Sequence, residues 1–233
     1  MSKNPVAAYL RSSIGRKQIM GLSGIYLYFF LLIHLAGNVG LLSGAEHFNG
    51  YAYLLLHTLR EIIYPIEFTL AAAFFLHVYL GVKVSMENRA ARPERYAVNA
   101  SKARRGPYAR YMALSGMWLL IFVLVHVPHF RMGLYSEIGT VTYNGVEMRD
   151  LHGSVMHFFA KGWFTAFYVF SFLFLFNHLA HGVSSSLQSI GLNHPRYNAV
   201  IQFISTAYAV IISGGFTAIA LWAYFTAYFQ RGA

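Results

Sequence analysis

Five stretches of this chain are long, apolar and almost free of charge, and that feature constrains the fold more than any other. Gln18 to Ala45, Tyr111 to Phe130, Gly162 to Pro195 and Tyr197 to Gln230 contain no Asp, Glu, Lys or Arg, and Ile62 to Val82 contains only Glu67. A membrane-spanning helix needs about 20 mostly apolar residues. None of the five alternates apolar and polar residues as a barrel strand does. In lipid the backbone must satisfy its own hydrogen bonds, so helices follow. The sequence therefore predicts an all-α integral membrane protein, one membrane domain over 1–233, with spans near 18–42, 62–84, 111–130, 163–185 and 198–229. Charged residues make up 11% of the chain, against about 25% in soluble domains. That shortfall excludes a soluble globular protein, a disordered chain and a nucleic-acid module that binds through charge.

The net charge of +10 has a different meaning here: eight of the eighteen Lys and Arg lie between Lys83 and Arg110, in the loop joining spans two and three. Five spans put the chain ends on opposite sides. Sorted that way, thirteen Lys and Arg share a side with the N-terminus and five lie opposite, with six of the eight acids. The positive-inside rule then sets the N-terminus in the cytoplasm and the C-terminus outside, with 85–110 a basic cytoplasmic loop and 131–162 the largest outer loop, long enough for a short interfacial helix. The basic start followed by a long apolar run reads as an uncleaved first span. With no cysteine, the chain forms no disulfide, ligates no iron–sulfur cluster and attaches no haem through thiols.

Four of the eleven histidines fall inside spans one to four: His34, His77, His126 and His178. An ionisable residue within a membrane is a functional candidate by default. Depth sorts them. His34 lies 17 residues beyond Lys17 and His126 16 residues beyond Arg110, each roughly 25 Å from the inner side at the helical rise. His77 precedes Lys83 by only six residues, and His178 lies near the inner end of span four. Two histidines sit near each face, each pair drawn from different helices. That arrangement suits two cofactors stacked in a bundle formed by the first four helices, a haem-binding bundle with two bis-histidine b haems. Zinc would need four ligands converging at one depth.

Ser23-Gly24 precedes His34, and Ser115-Gly116 precedes His126, both as Ser-Gly-x9-His. Ten residues of helix span about 15 Å, so each glycine falls at the depth of the inner pair. There it either leaves room for a haem edge or serves ordinary close packing. His129 follows Pro128 at a kinked or frayed span end. His181, one turn after His178, cannot be separated from it by depth. His47, His57, His152, His157 and His194 fall in loops or at interfaces.

These residues resemble a family. Ser13-Ile-Gly-Arg-Lys17 with Met20 and Ser23-Gly24, Phe48-Asn-Gly-Tyr-Ala52, Pro65-Ile-Glu-Phe68, Phe122 to His126, and His178-Leu-Ala-His-Gly182 with Gln188-Ser-Ile-Gly191 are similar to the dihaem cytochrome b membrane anchor of succinate dehydrogenases and fumarate reductases, in its bacterial single-chain, five-helix form. The resemblance implies two haem b groups, His77 and His178 on the inner and His34 and His126 on the outer. It prefers His178 to His181 because the family's ligand stands 13 residues before a glycine, here Gly191. It implies a flavoprotein and an iron–sulfur subunit as partners, the bacterial cytoplasmic membrane as location, a higher oligomer of the complex, and a quinone, menaquinone, as substrate. Quinone chemistry needs an apolar slot, hydrogen-bond donors and a proton carrier. Glu61, His57 and Glu67 at the outer edge of spans one and two are the candidates, with an interfacial carboxylate meeting water or Arg60 as the plainer role for each acid. Some family members carry a glutamate two residues before the fourth-span ligand; here that residue is Phe176, so this chain lacks that proton route or uses another. The competing expectations are a cytochrome b of another quinone-linked enzyme, such as a hydrogenase or formate dehydrogenase, and a haem-free anchor or transporter.

Overall fold

The computed structural model describes residues 4–90, 111–134 and 139–232. Of the expected basic loop 85–110, residues 85–90 continue the helix of the second span and residues 91–110 lie outside the described residues; the end of the bundle beside that loop is called inner and the opposite end outer. The fold is all-α with a small hairpin, and five of its helices are long and apolar enough to cross a membrane: Ser13–Ser43, Arg60–Ala90, Met112–Met132, Gly162–Ser189 and Pro195–Phe229. Each expected span is present.

The local sequence explains the element ends. Helix α1 (Pro5–Arg11) starts on Asn4, whose side chain accepts from the Val6 and Ala7 amides, and α2 (Ser13–Val39) starts on Ser12, which accepts from the Gly15 amide. Short side chains with an oxygen are the groups that satisfy such orphan donors. After a 3₁₀ turn (Gly40–Ser43) come α3 (Ala45–Tyr53), a π-helical turn (Leu54–Thr58) and α4 (Arg60–Ala90). The third span is α5 (Met112–His126), prolonged by a π-helical turn over Val127–Met132. Pro128 therefore widens the helix rather than fraying it. Two strands, β1 (Thr140–Tyr143) and β2 (Val146–Arg149), pair antiparallel. Helix α6 (Leu151–Phe159) follows, with α7 (Gly162–Ser189) and α8 (Pro195–Gly232) as the last spans.

The outer loop thus holds the expected short helix, α6, and also a hairpin. The hairpin turns at Asn144 and Gly145, both at positive φ (53° and 77°). Asn-Gly is the dipeptide that such two-residue turns demand, so the signal is present in the sequence. Helix α3, strand β2 and α6 pack together into an outer cap. Asp150 ties the cap: it accepts from the Gly153 amide (2.8 Å) and the Asn49 side chain (2.9 Å), and Asn49 accepts from the His152 amide (2.8 Å). Asn49 is fully buried, and a buried amide needs such partners.

Within the bundle α2 packs on α4 and α7, α5 packs on α4 and α7, and α8 covers α7 and α2. The α7–α8 seam is built from small residues: Ala180, Ser184, Ser205, Ala209, Ala220 and Ala223 are all buried. The Ser205 hydroxyl bridges to the carbonyls of Leu179 and Ala180 and accepts from the Ser184 amide. Small side chains let backbones approach and serine hydroxyls link them, which is how helices associate in lipid. The outward faces carry Phe29, Phe68, Phe75, Leu173 and Phe203, apolar groups that face lipid when the bundle sits in a bilayer.

Candidate functional site

The four span histidines assemble into two pairs. His34 on α2 meets His126 on α5, with ring centres 5.8 Å apart and planes at 84°. His77 on α4 meets His178 on α7, at 6.2 Å and 71°. His178, and not His181, is the ring presented to His77. Gly24 on α2 touches the second pair and His34 belongs to the first, so ten residues, or about 15 Å of helix axis, separate them. Gly116 and His126 repeat that spacing on α5.

A ligand imidazole usually engages a partner through its other nitrogen, which fixes its tautomer. Three of the four do so at 3.2 Å. His77 Nδ1 lies 3.2 Å from the Met20 carbonyl and 3.2 Å from Ser23 Oγ. His178 Nδ1 lies 3.2 Å from Ser115 Oγ, and His126 Nδ1 lies 3.2 Å from the Tyr168 hydroxyl. A carbonyl only accepts, so His77 carries its proton on Nδ1 and keeps the Nε2 lone pair free. His34 has the longest polar contact, the Asn38 side-chain nitrogen 3.5 Å from both ring nitrogens, and is also held by stacking: Phe30, one turn before it, lies parallel at 5.1 Å, and Phe216 of α8 leans on it at 5.7 Å. Phe122 stacks on His126 in the same way at 5.5 Å.

The residues fit a bis-histidine group by two measures. An imidazole nitrogen sits about 2 Å from a transition metal, as on zinc, so two imidazoles on opposite faces of one ion hold their ring centres roughly 6 Å apart. Both pairs have that separation. The glycines form the second measure. A Cβ on Gly24 would lie 3.3 Å from His77 Cε1, and one on Gly116 would lie 3.4 Å from His178 Cε1. Gly116 therefore leaves room for the His178 imidazole, and Gly24 leaves room for the His77 imidazole together with Ser186 Oγ (3.2 Å) and the Tyr28 hydroxyl (3.3 Å). Among the described residues no group of three or more His, Cys, Asp or Glu converges as a metal cluster.

A cavity of about 100 Å³ opens beneath the cap, lined among others by Asn49, Tyr53, His57, Phe130, Arg131 and Arg149. Phe130 joins it to the outer pair, with its ring 5.6 Å from that of His126. The three candidate quinone residues are placed differently. His57 lines the cavity, stacked on Tyr53 at 4.4 Å. Glu67 grips Arg131 in two hydrogen bonds (2.7 and 2.9 Å), so the expected interfacial ion pair forms with Arg131 rather than Arg60. Glu61 pairs with Arg60 at 3.1 Å and is exposed. Arg131 and Arg149 are the cavity residues that sequence reasoning misses. Arg149 Nη2 is buried with no hydrogen-bond acceptor among the described residues. Burial, then the neighbouring Arg131, lowers the Arg149 pKa from its ordinary value.

His129 is occupied elsewhere, with Nδ1 2.8 Å from the Val125 carbonyl. No protein-family model, curated protein or solved structure matches the chain.

Proposed function

We propose that this chain is the membrane anchor of a bacterial succinate:quinone oxidoreductase or quinol:fumarate reductase, carrying electrons between an iron–sulfur subunit and membrane quinone. The observation that carries the proposal is the pairing itself: two couples of imidazoles, each from two different helices, with ring centres 5.8 and 6.2 Å apart and the couples separated along the bundle axis. When bound, two b haems supply one-electron carriers at two depths. His77 and His178 would hold the inner one, and His34 and His126 the outer.

On the quinone side the residues can bind, orient and protonate. The cavity offers aromatic walls (Tyr53, Phe130) for a ring and guanidinium donors (Arg131, Arg149) for carbonyl oxygens, and Glu67 fixes Arg131 in place. His57 is an imidazole within the lining, suited to exchange protons with the outer side. Menaquinone is the substrate assigned by the resemblance. The charge distribution supports a cytoplasmic N-terminus in the bacterial inner membrane, with the flavoprotein and iron–sulfur partners on the basic face.

The test is a reduced-minus-oxidised spectrum with haem quantitation on the purified complex. Two haems per chain, beside a flavin-containing large subunit, is the expected result. Fully loaded partner chains with no porphyrin in the anchor overturn the proposal, and a nickel or molybdenum partner overturns its assignment to succinate and fumarate.

A further inference from the structure

Helices α2 and α5 carry a longer repeat than the Ser-Gly-x9-His echo. Met20-Gly-Leu-Ser23-Gly24 with Phe30 and His34 matches Met112-Ala-Leu-Ser115-Gly116 with Phe122 and His126, giving Met-x-Leu-Ser-Gly-x5-Phe-x3-His in both. The last two positions serve the outer pair, phenylalanine stacking on histidine one turn later. The first positions serve a histidine on a different helix. Ser23 donates to the Met20 carbonyl at 2.9 Å, and Ser115 donates to the Met112 carbonyl at 3.0 Å. A hydroxyl has one proton. With that proton on a carbonyl, each serine meets the neighbouring imidazole as an acceptor. His77 and His178 must then each bear their proton on Nδ1, with the Nε2 lone pair free.

We infer that Ser23 and Ser115 are paired positioning residues that fix the tautomer and raise the basicity of the two inner histidines. The inference rests on the haem reading above. The adjoining glycines complete the device: serine holds one ring nitrogen while glycine leaves the space in which the ring lies. The two serines are unequal. His77 Nδ1 has a second acceptor, the Met20 carbonyl, at 3.2 Å. For His178 Nδ1 the acceptor is Ser115, which is fully buried. An acceptor on the outer nitrogen makes an imidazole a stronger donor, and a stronger donor favours the oxidised metal.

The experiment is a redox titration of the whole purified complex, wild type against Ser115→Ala, Ser23→Ala and Ser115→Thr. The inner haem is identified as the one missing from His77→Ala. Ser115→Ala raises the inner midpoint potential and leaves the outer one unchanged. Ser23→Ala moves it in the same direction but less, and Ser115→Thr, which keeps a hydroxyl, stays nearer the wild type. Selective loss of the inner haem in Ser115→Ala with the outer retained also supports the role. A loaded inner haem with an unmoved potential in both alanine variants overturns it, as does an equal shift or loss at both haems, which marks mere packing. Those outcomes leave the haem reading standing. A wild-type complex with no haem removes both.

Discussion

The inner and outer histidine pairs lie in one bundle, the first on α4 and α7 and the second on α2 and α5, yet are held by different forces. The inner rings are fixed by hydrogen bonds to serine hydroxyls whose protons are already committed to backbone carbonyls. The outer rings are fixed by contact: Phe30 and Phe122 lie nearly parallel to His34 and His126, at 16° and 20°. At the outer pair the polar partners are a phenol on His126, Tyr168, which can donate or accept, and the Asn38 amide, 3.5 Å from the His34 ring nitrogens. The difference shows one repeated segment doing two jobs at two depths. Its serine and glycine end orients a neighbour's imidazole, and its phenylalanine and histidine end supplies its own. It also shows why the outer pair depends on what lies above it. Phe130 touches His126 on one side and lines the cap cavity on the other, whereas the inner pair lies at the other end of the bundle.

The strongest way to break this comparison is to remove the ligands. His77→Ala or His178→Ala should abolish the inner haem and retain the outer one, and His34→Ala or His126→Ala should do the reverse, read by haem quantitation and the reduced-minus-oxidised band. Loss of both haems from every variant would mean that the pairs do not act separately. A smaller effect comes from filling the cradle. Gly24→Leu or Gly116→Leu forces carbon into space already at van der Waals contact with the inner rings. Overpacking of this kind costs about 1–3 kcal/mol. Haem content should fall at the inner site with the outer band preserved; equal depletion of the two bands would contradict the assignment.

Much of this arrangement is legible in the amino-acid sequence alone. The five spans follow from charge-free length, and the two depths follow from counting residues from Lys17, Lys83 and Arg110. Depth does not decide which rings meet, so apart from the family pattern before Gly191, His178 and His181, three residues apart, are distinguished by the packing that turns one of them toward His77. The role of Ser23 is hidden for a physical reason: its partner, His77, is 54 residues away and on another helix. A one-helix pattern shows the repeat but not whom it serves. The Arg131–Glu67 pair, 64 residues apart, is hidden in the same way. The hairpin is readable from Asn144-Gly145, but the strands beside it are only four residues each, too short for alternation to stand out in a chain dominated by apolar spans.

The cap offers finer tests, because disturbing it must reach the outer pair and spare the inner one. Glu67→Gln weakens the grip on Arg131. Both side chains are about two-fifths exposed (38% and 43%), so screening keeps the stability cost within about 0–1 kcal/mol. Quinone reduction by the complex should nevertheless fall severalfold, with the spectrum and potential of the inner haem unchanged. Unaltered turnover would remove the ion pair from the quinone site.

The smallest expected effect is a pH dependence of the cap itself. His152 has its amide on Asn49 and its ring edge-on to Phe48 at 6.4 Å. Burial lowers its pKa from the ordinary value, and Asp150 only partly offsets that. The unfolded cap therefore binds a proton at a pH where the folded cap still resists it, so stability rises with pH across this window. The stabilisation is present above the unfolded value of about 6.5 and declines as the pH falls through the lower folded value. Limited proteolysis of the purified complex at pH 7.5 and 5.5 should cut the segment from Thr140 to Phe159 faster at the lower pH. His152→Gln, which cannot titrate, should narrow the difference. Equal ratios in the variant and the wild type would mean that His152 does not set the pH response of the cap.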